Sequence, residues 1–222
     1  MQLPRENSGV LARVRFGRYV VRRLKQAKLD TLAKDAERVT TALKAAGRAH
    51  EDALEPGQDA LADRDAADEA LDTVAQNARA NLAGRSKNAA REEPYVLIFP
   101  EGISEYIAAP VDEEEARYRK LIARVQKHLP AKDPVRVGVV PAIEAGLKQY
   151  AAALKDLHRA EESADTAAVA LRRASTAWTR QLERIYGALI AEVGKSAAEA
   201  FFPRTRTRRE PPEPREPDAP SA

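Results

Sequence analysis

Residues 142–190 read AIEAGLKQYAAALKDLHRAEESADTAAVALRRASTAWTRQLERIYGALI, and their spacing decides the fold. Ile143, Leu147, Tyr150, Leu154, Leu157, Glu161, Ala164, Ala168, Leu171, Trp178, Leu182, Ile185 and Leu189 follow steps of four and three, with Ser175 the one place passed over. A 3.5-residue period held over about six heptads predicts long helices packed along narrow stripes. About 111 residues earlier the same register runs through Leu32, Ala36, Val39, Leu43, Ala46, His50 and Ala53, then Ala60, Ala67, Leu71, Val74 and Ala78. That offset also matches the polar lapses, His50 with Glu161 and Arg64 with Ser175. Each copy then ends in similar punctuation, Gly84-Arg85-Ser86 and Gly194-Lys195-Ser196, followed by Phe99-Pro100 and Phe202-Pro203. These coincidences predict an internal duplication.

The fold class is therefore all-α, an elongated antiparallel coiled-coil-like helical bundle. Its shape turns on Glu55-Pro56-Gly57. A proline inside a helix removes a backbone donor and clashes with the preceding turn, at about 3 kcal/mol. As a break, it makes each segment a hairpin and the whole a four-helix bundle. Yet the register passes through Pro56 unbroken, and the matching Thr166-Ala167-Ala168 holds no breaker. That favours two very long helices, kinked at Pro56 in the first copy. Ser163, Asp165 and Thr166, which suit caps and turns, keep the bundle open as the alternative.

Around these segments the chain divides by composition. Residues 1–28 are a basic, partly amphipathic lead-in, and 29–86 the first heptad segment. Residues 87–138 form a connector with an apolar run, Tyr95 to Phe99, placed to cap the bundle or to dock a partner. Asp112 is placed to N-cap a short helix there, ending at Pro130, with Val135 to Val140 extended beyond it. Residues 139–203 carry the second heptad segment, and the Arg/Pro-rich 204–222 reads as a disordered tail.

Much of the apolar content is alanine, aromatics make up only 5%, and 32% of residues are charged. Narrow alanine seams leave little room for an enclosed pocket. With no cysteine, disulfides and thiolate metal sites are excluded. No stretch approaches the ~18 apolar residues of a membrane span and no secretory leader is visible, so the expected location is cytoplasmic. The preference for arginine over lysine suits a GC-rich bacterial genome.

Catalytic motifs fail on inspection. Gly194-Lys195-Ser196 lacks the leading glycine of a phosphate-binding loop, since Leu189 stands there. Gly102-Ile103-Ser104-Glu105-Tyr106 has tyrosine where a nucleophile elbow needs its second glycine. His50 and Glu161 at seam positions read as register-fixing polar residues, and no paired Glu-x-x-His supports a metal. Trp178 matches the small Ala67 of the other copy, an ordinary large-against-small packing pair. No enzyme, cofactor, metal or small-molecule substrate is expected.

Charge supplies the remaining candidate. Arg13, Arg15, Arg18, Arg22 and Arg23 interleave with Phe16 and Tyr19, as in phosphate-binding segments where guanidinium groups neutralise and aromatics stack. Arg204, Arg206, Arg208 and Arg209 add a second cluster. The span from Glu51 to Asp72 holds nine acids against Arg64, so the arm has an internal partner as an alternative. The expected role is a non-enzymatic structural or scaffolding protein that associates with a protein partner or a second copy. The alternative is binding of nucleic acid, or of a membrane or other anionic surface, through the arm.

Overall fold

The computed structural model describes residues 3–5 and 8–203, and every regular element among them is helical. The order is α1 (Val10–Gln26), α2 (Asp30–Ala83), a 3-10 turn (Ala89–Arg91), α3 (Tyr95–Ile98), α4 (Ser104–Ile107), α5 (Glu114–His128), α6 (Pro134–Val193) and α7 (Lys195–Glu199). The all-α class holds, and each heptad segment is one continuous helix, of 54 residues in α2 and 60 in α6. Pro56 therefore lies inside α2 and ends nothing. Pro56 and Asp52 are both exposed, so the carbonyl that the proline deprives of a donor lies on the solvent side. The expected tail and its arginines lie outside the described residues.

The chain forms two compact units, each built from separate stretches of the long helices. The first comprises residues up to Arg48 and from Ala170 on. Here α1 folds back on the start of α2, and the end of α6 completes a three-helix core. Val14, Phe16, Val20, Val21 and Leu24 meet Ala36, Val39 and Leu43, and Trp178, Leu182, Ile185 and Leu189 close over them. Trp178 Nε1 donates to Thr40 Oγ1 at 3.2 Å and Gln181 to Asp35 at 3.4 Å, a pairing that makes the two segments antiparallel. Phe202, following α7, seals this core against Phe16 and Tyr186.

The second unit spans Ala49–Val169. The end of α2 and the start of α6 again run antiparallel, shown by Leu71 against Gly146 and Arg85 paired with Asp133 at 2.6 Å. Helix α5 is the third member, with Tyr118, Leu121 and Val125 fully buried. Ile98, Phe99 and Tyr106 from α3, α4 and their junction are buried in the same core.

Three local expectations are corrected. Val135 to Val140 are helical, not extended, because α6 starts at Pro134, inside what was read as connector. Asp133 caps it, its Oδ1 accepting from Val135 N at 2.9 Å, and proline is favourable at a first helical position. Pro141 is then carried inside the helix, with Val137 one turn back and 58% exposed. For α5 the N-cap is Glu113 rather than Asp112, and it makes no side-chain cap bond; its carboxylate pairs with Arg117 at 2.7 Å. The small residue against Trp178 is Gly17 of α1, where a Cβ would come within 3.0 Å of the indole nitrogen.

Candidate functional site

Helix α1 sorts the basic lead-in onto two faces. Arg13 is 6% exposed and donates to the Arg5 carbonyl at 3.3 Å. Phe16 is buried against Trp178, ring centroids 6.0 Å apart, so it cannot stack on a ligand. Arg15, Arg18, Tyr19, Arg22 and Arg23 are exposed. Arg23 donates to the Ala200 carbonyl at 3.3 Å, which ties it to the chain after α7. Arg15, Arg18 and Arg22 stand along one face at the i, i+3, i+7 spacing of a helix and have no carboxylate within ion-pair distance among the described residues. Of the sequence candidates, the structure thus leaves these three arginines and Tyr19 together at the surface.

Beside that face the α1–α2 pair forms a groove of about 530 Å³. Arg18, Arg22, Lys25 and Lys44 rim it, Val14, Val21 and Thr40 lie along its floor, and Glu37 is its single acid among the described residues. Lys25 Nζ takes Glu37 at 2.8 Å. Lys44, Thr40 and Thr41 belong to the seam-bearing helix and were not singled out from sequence. The signal was available, since a turn at Lys28 folds α1 antiparallel onto α2 and brings positions 18–25 beside 37–44.

A second polar cluster lies in the other unit and also escaped the sequence reading. Glu114 opens α5 only 3% exposed, facing Asp68 and Asp72 of α2 and Tyr150 of α6. Its Oε1 and the Tyr150 hydroxyl find no partner of good hydrogen-bond geometry. Burial pushes the Glu114 carboxyl up to about 7; the Tyr150 hydroxyl opposes this, and Asp68 and Asp72 add to it. Tyr118 donates to Asp72 at 2.6 Å, and burial also raises the Asp72 carboxyl.

The near-miss catalytic motifs have structural roles here. Burial works against the Glu105 charge, but Lys120 and Arg124, each at 2.5 Å, hold its carboxyl below the usual range. The Tyr106 hydroxyl donates to the Ile98 carbonyl at 2.9 Å. Gly194, at φ 78°, ends α6 and precedes α7. Glu161 is exposed and sits 3.4 Å from His158. No group of three or more His, Cys, Asp and Glu among the described residues is arranged to hold a metal, and no described helix is long and apolar enough to cross a membrane. No protein-family model matches the chain, and neither the curated proteins nor the solved structures compared with it show a match.

Proposed function

We propose that this chain acts by association rather than catalysis, as a non-enzymatic helical scaffold whose first unit binds the phosphate backbone of nucleic acid. The observation that carries this reading is the row Arg15, Arg18 and Arg22, exposed and without carboxylate partners among the described residues, with Tyr19 beside it at 44% exposure. Residues on the opposite side of α1 are buried, so the row stands on a fixed helix and loses little conformational freedom on binding. Phosphates recruited by such a row release counterions, and the exposed phenol offers one stacking surface.

Removing residues 1–25 is an unsuitable test, because it deletes Val14, Phe16, Val20, Val21 and Leu24 from the first core. The triple change Arg15→Glu, Arg18→Glu, Arg22→Glu keeps that core. Fluorescence anisotropy with labelled DNA and RNA should show affinity falling steeply between about 50 and 200 mM salt. For duplex DNA the triple variant should lose that affinity and flatten the log–log salt slope by about 2.7. Absence of binding at low salt, or equal binding by a variant of unchanged helical content, overturns the reading; an association role then rests on protein partners or a second copy.

The likeness of the two units supports the duplication as well. Each joins a short helix, the start of the long helix it leads into, and the end of the other long helix. Each is closed by a buried phenylalanine followed by proline, Phe99 and Phe202. We read the present chain as two copies of a short-helix, long-helix, aromatic-cap module.

A further inference from the structure

We infer that the α1–α2 groove is a site for a phosphomonoester, a doubly charged phosphate on a small organic body, distinct from a polymer lying along the solvent face of α1. At about 530 Å³ the groove has the size of a small-molecule site rather than of a strand-length channel. Among the described residues four cations, Arg18, Arg22, Lys25 and Lys44, surround one carboxylate. Because Lys25 engages Glu37 at 2.8 Å, the others face the groove with no carboxylate of their own among the described residues. A dianionic head is the ligand that such an excess suits, with arginine supplying paired donors and lysine a point charge.

The floor adds a more specific feature. Thr40 is 5% exposed, and its Oγ1 accepts from the buried indole of Trp178 at 3.2 Å. That oxygen is turned toward Gly17 and the indole, so the accessible hydroxyl of the groove is that of the next residue, Thr41, which is exposed and lines it. Val14 and Val21 beside it offer apolar surface to the organic body. A phosphate ester satisfies all of this at once: charge at the rim, an acceptor for the threonine, and area for the valines.

Calorimetric titration of the full chain tests the site with three probes: inorganic phosphate, adenosine monophosphate, and phosphatidylcholine vesicles with or without phosphatidic acid. Adenosine monophosphate should bind tighter than inorganic phosphate. Arg18→Gln and Lys44→Gln should each weaken it about tenfold, Thr41→Val should weaken it and Thr41→Ser restore it, while Lys34→Gln, elsewhere on α2, should change nothing. Retention on phosphatidic-acid vesicles alone, with the same dependence on Arg18 and Lys44, supports the site and assigns its phosphate to a lipid. No binding of any probe, or equal weakening by Lys34→Gln, overturns the proposal. The polymer reading fails separately: Arg15 does not line the groove, so Arg15→Glu should weaken nucleic acid and leave the monophosphate unaffected.

Discussion

Glu114 opens α5 with its side chain turned into the second core, where burial disfavours its charge more than Tyr150 favours it. With a carboxyl that ordinarily titrates near 4.5 raised to about 7, the folded state keeps its proton while the unfolded state has lost it. Stability should therefore fall as pH rises from about 5 to 7 and level off above, by about 1–2 kcal/mol after allowance for solvent screening. Asp72, also raised by burial, acts in the same direction. Glu105 and Asp133 act oppositely: burial works against their charge, but cations, and for Asp133 backbone N–H groups as well, hold both below the usual carboxylate range, so their contribution is lost as pH falls through that range. Urea denaturation at pH 5, 6.5 and 8 checks this, and Glu114→Gln should remove most of the slope and be more stable than the parent at pH 8. Gly17 yields a second expectation at this scale. A Cβ there would meet the Thr40 methyl at 2.9 Å, so Gly17→Ala should cost about 1–3 kcal/mol in thermal or denaturant unfolding. Gly187, helical with open space around it, should instead gain up to about 1 kcal/mol as alanine. The burial of Phe16 was legible, since it shares a helical stripe with Val20 and Leu24 while Tyr19 falls on the other side. Glu114 shares the stripe of Tyr118, Leu121 and Val125, and Tyr150 lies on the seam, but the acids of α2 that they face were not legible, because that meeting depends on how three helices pack.

At the scale of elements, the turn between α1 and α2 is a Schellman closure, with Leu29 N bonded to Leu24 O at 3.0 Å and Lys28 N to Lys25 O at 3.1 Å. The left-handed position that normally takes glycine is occupied by Lys28 at φ 60°. Lys28→Gly should relieve about 1–2 kcal/mol of local strain, offset in part by unfolded-chain entropy, for a net gain of about 0.5–1 kcal/mol in thermal unfolding. The seam was readable within the two cores, where Leu43, Leu71, Ile143 and Leu182 are fully buried, but not between them, where Leu154, Leu157 and Leu171 are half-buried and Glu161 is exposed. The start of α6 misled because a run of valines bounded by Pro141 resembles a strand, whereas Asp133-Pro134 is the stronger signal, a cap followed by a proline that needs no donor. Pro56 shows the limit of breaker rules, since a long amphipathic helix packed on both sides of an exposed proline tolerates the loss of one backbone bond.

For the whole molecule, the sequence period announced long helices but not that each would serve two separate cores. That partition depends on where α1 and α5 fold back, and their short apolar faces carry no register in common with the seam. The partition has a kinetic signature. Closing the first core brings together Thr40 and Trp178, 138 residues apart, a costly loop closure in any folding route. In stopped-flow refolding, far-UV ellipticity should return before the emission of Trp178, the chain's one tryptophan. During synthesis the same order is imposed by the ribosome. Residues 49–169 emerge as one uninterrupted stretch, while the α1–α2 pair holds part of its greasy side open until the segment bearing Trp178 and Leu182 has left the exit tunnel. At translation speeds that interval is on the order of ten seconds, long enough for a chaperone to find the α1–α2 pair before its own late-arriving partner does.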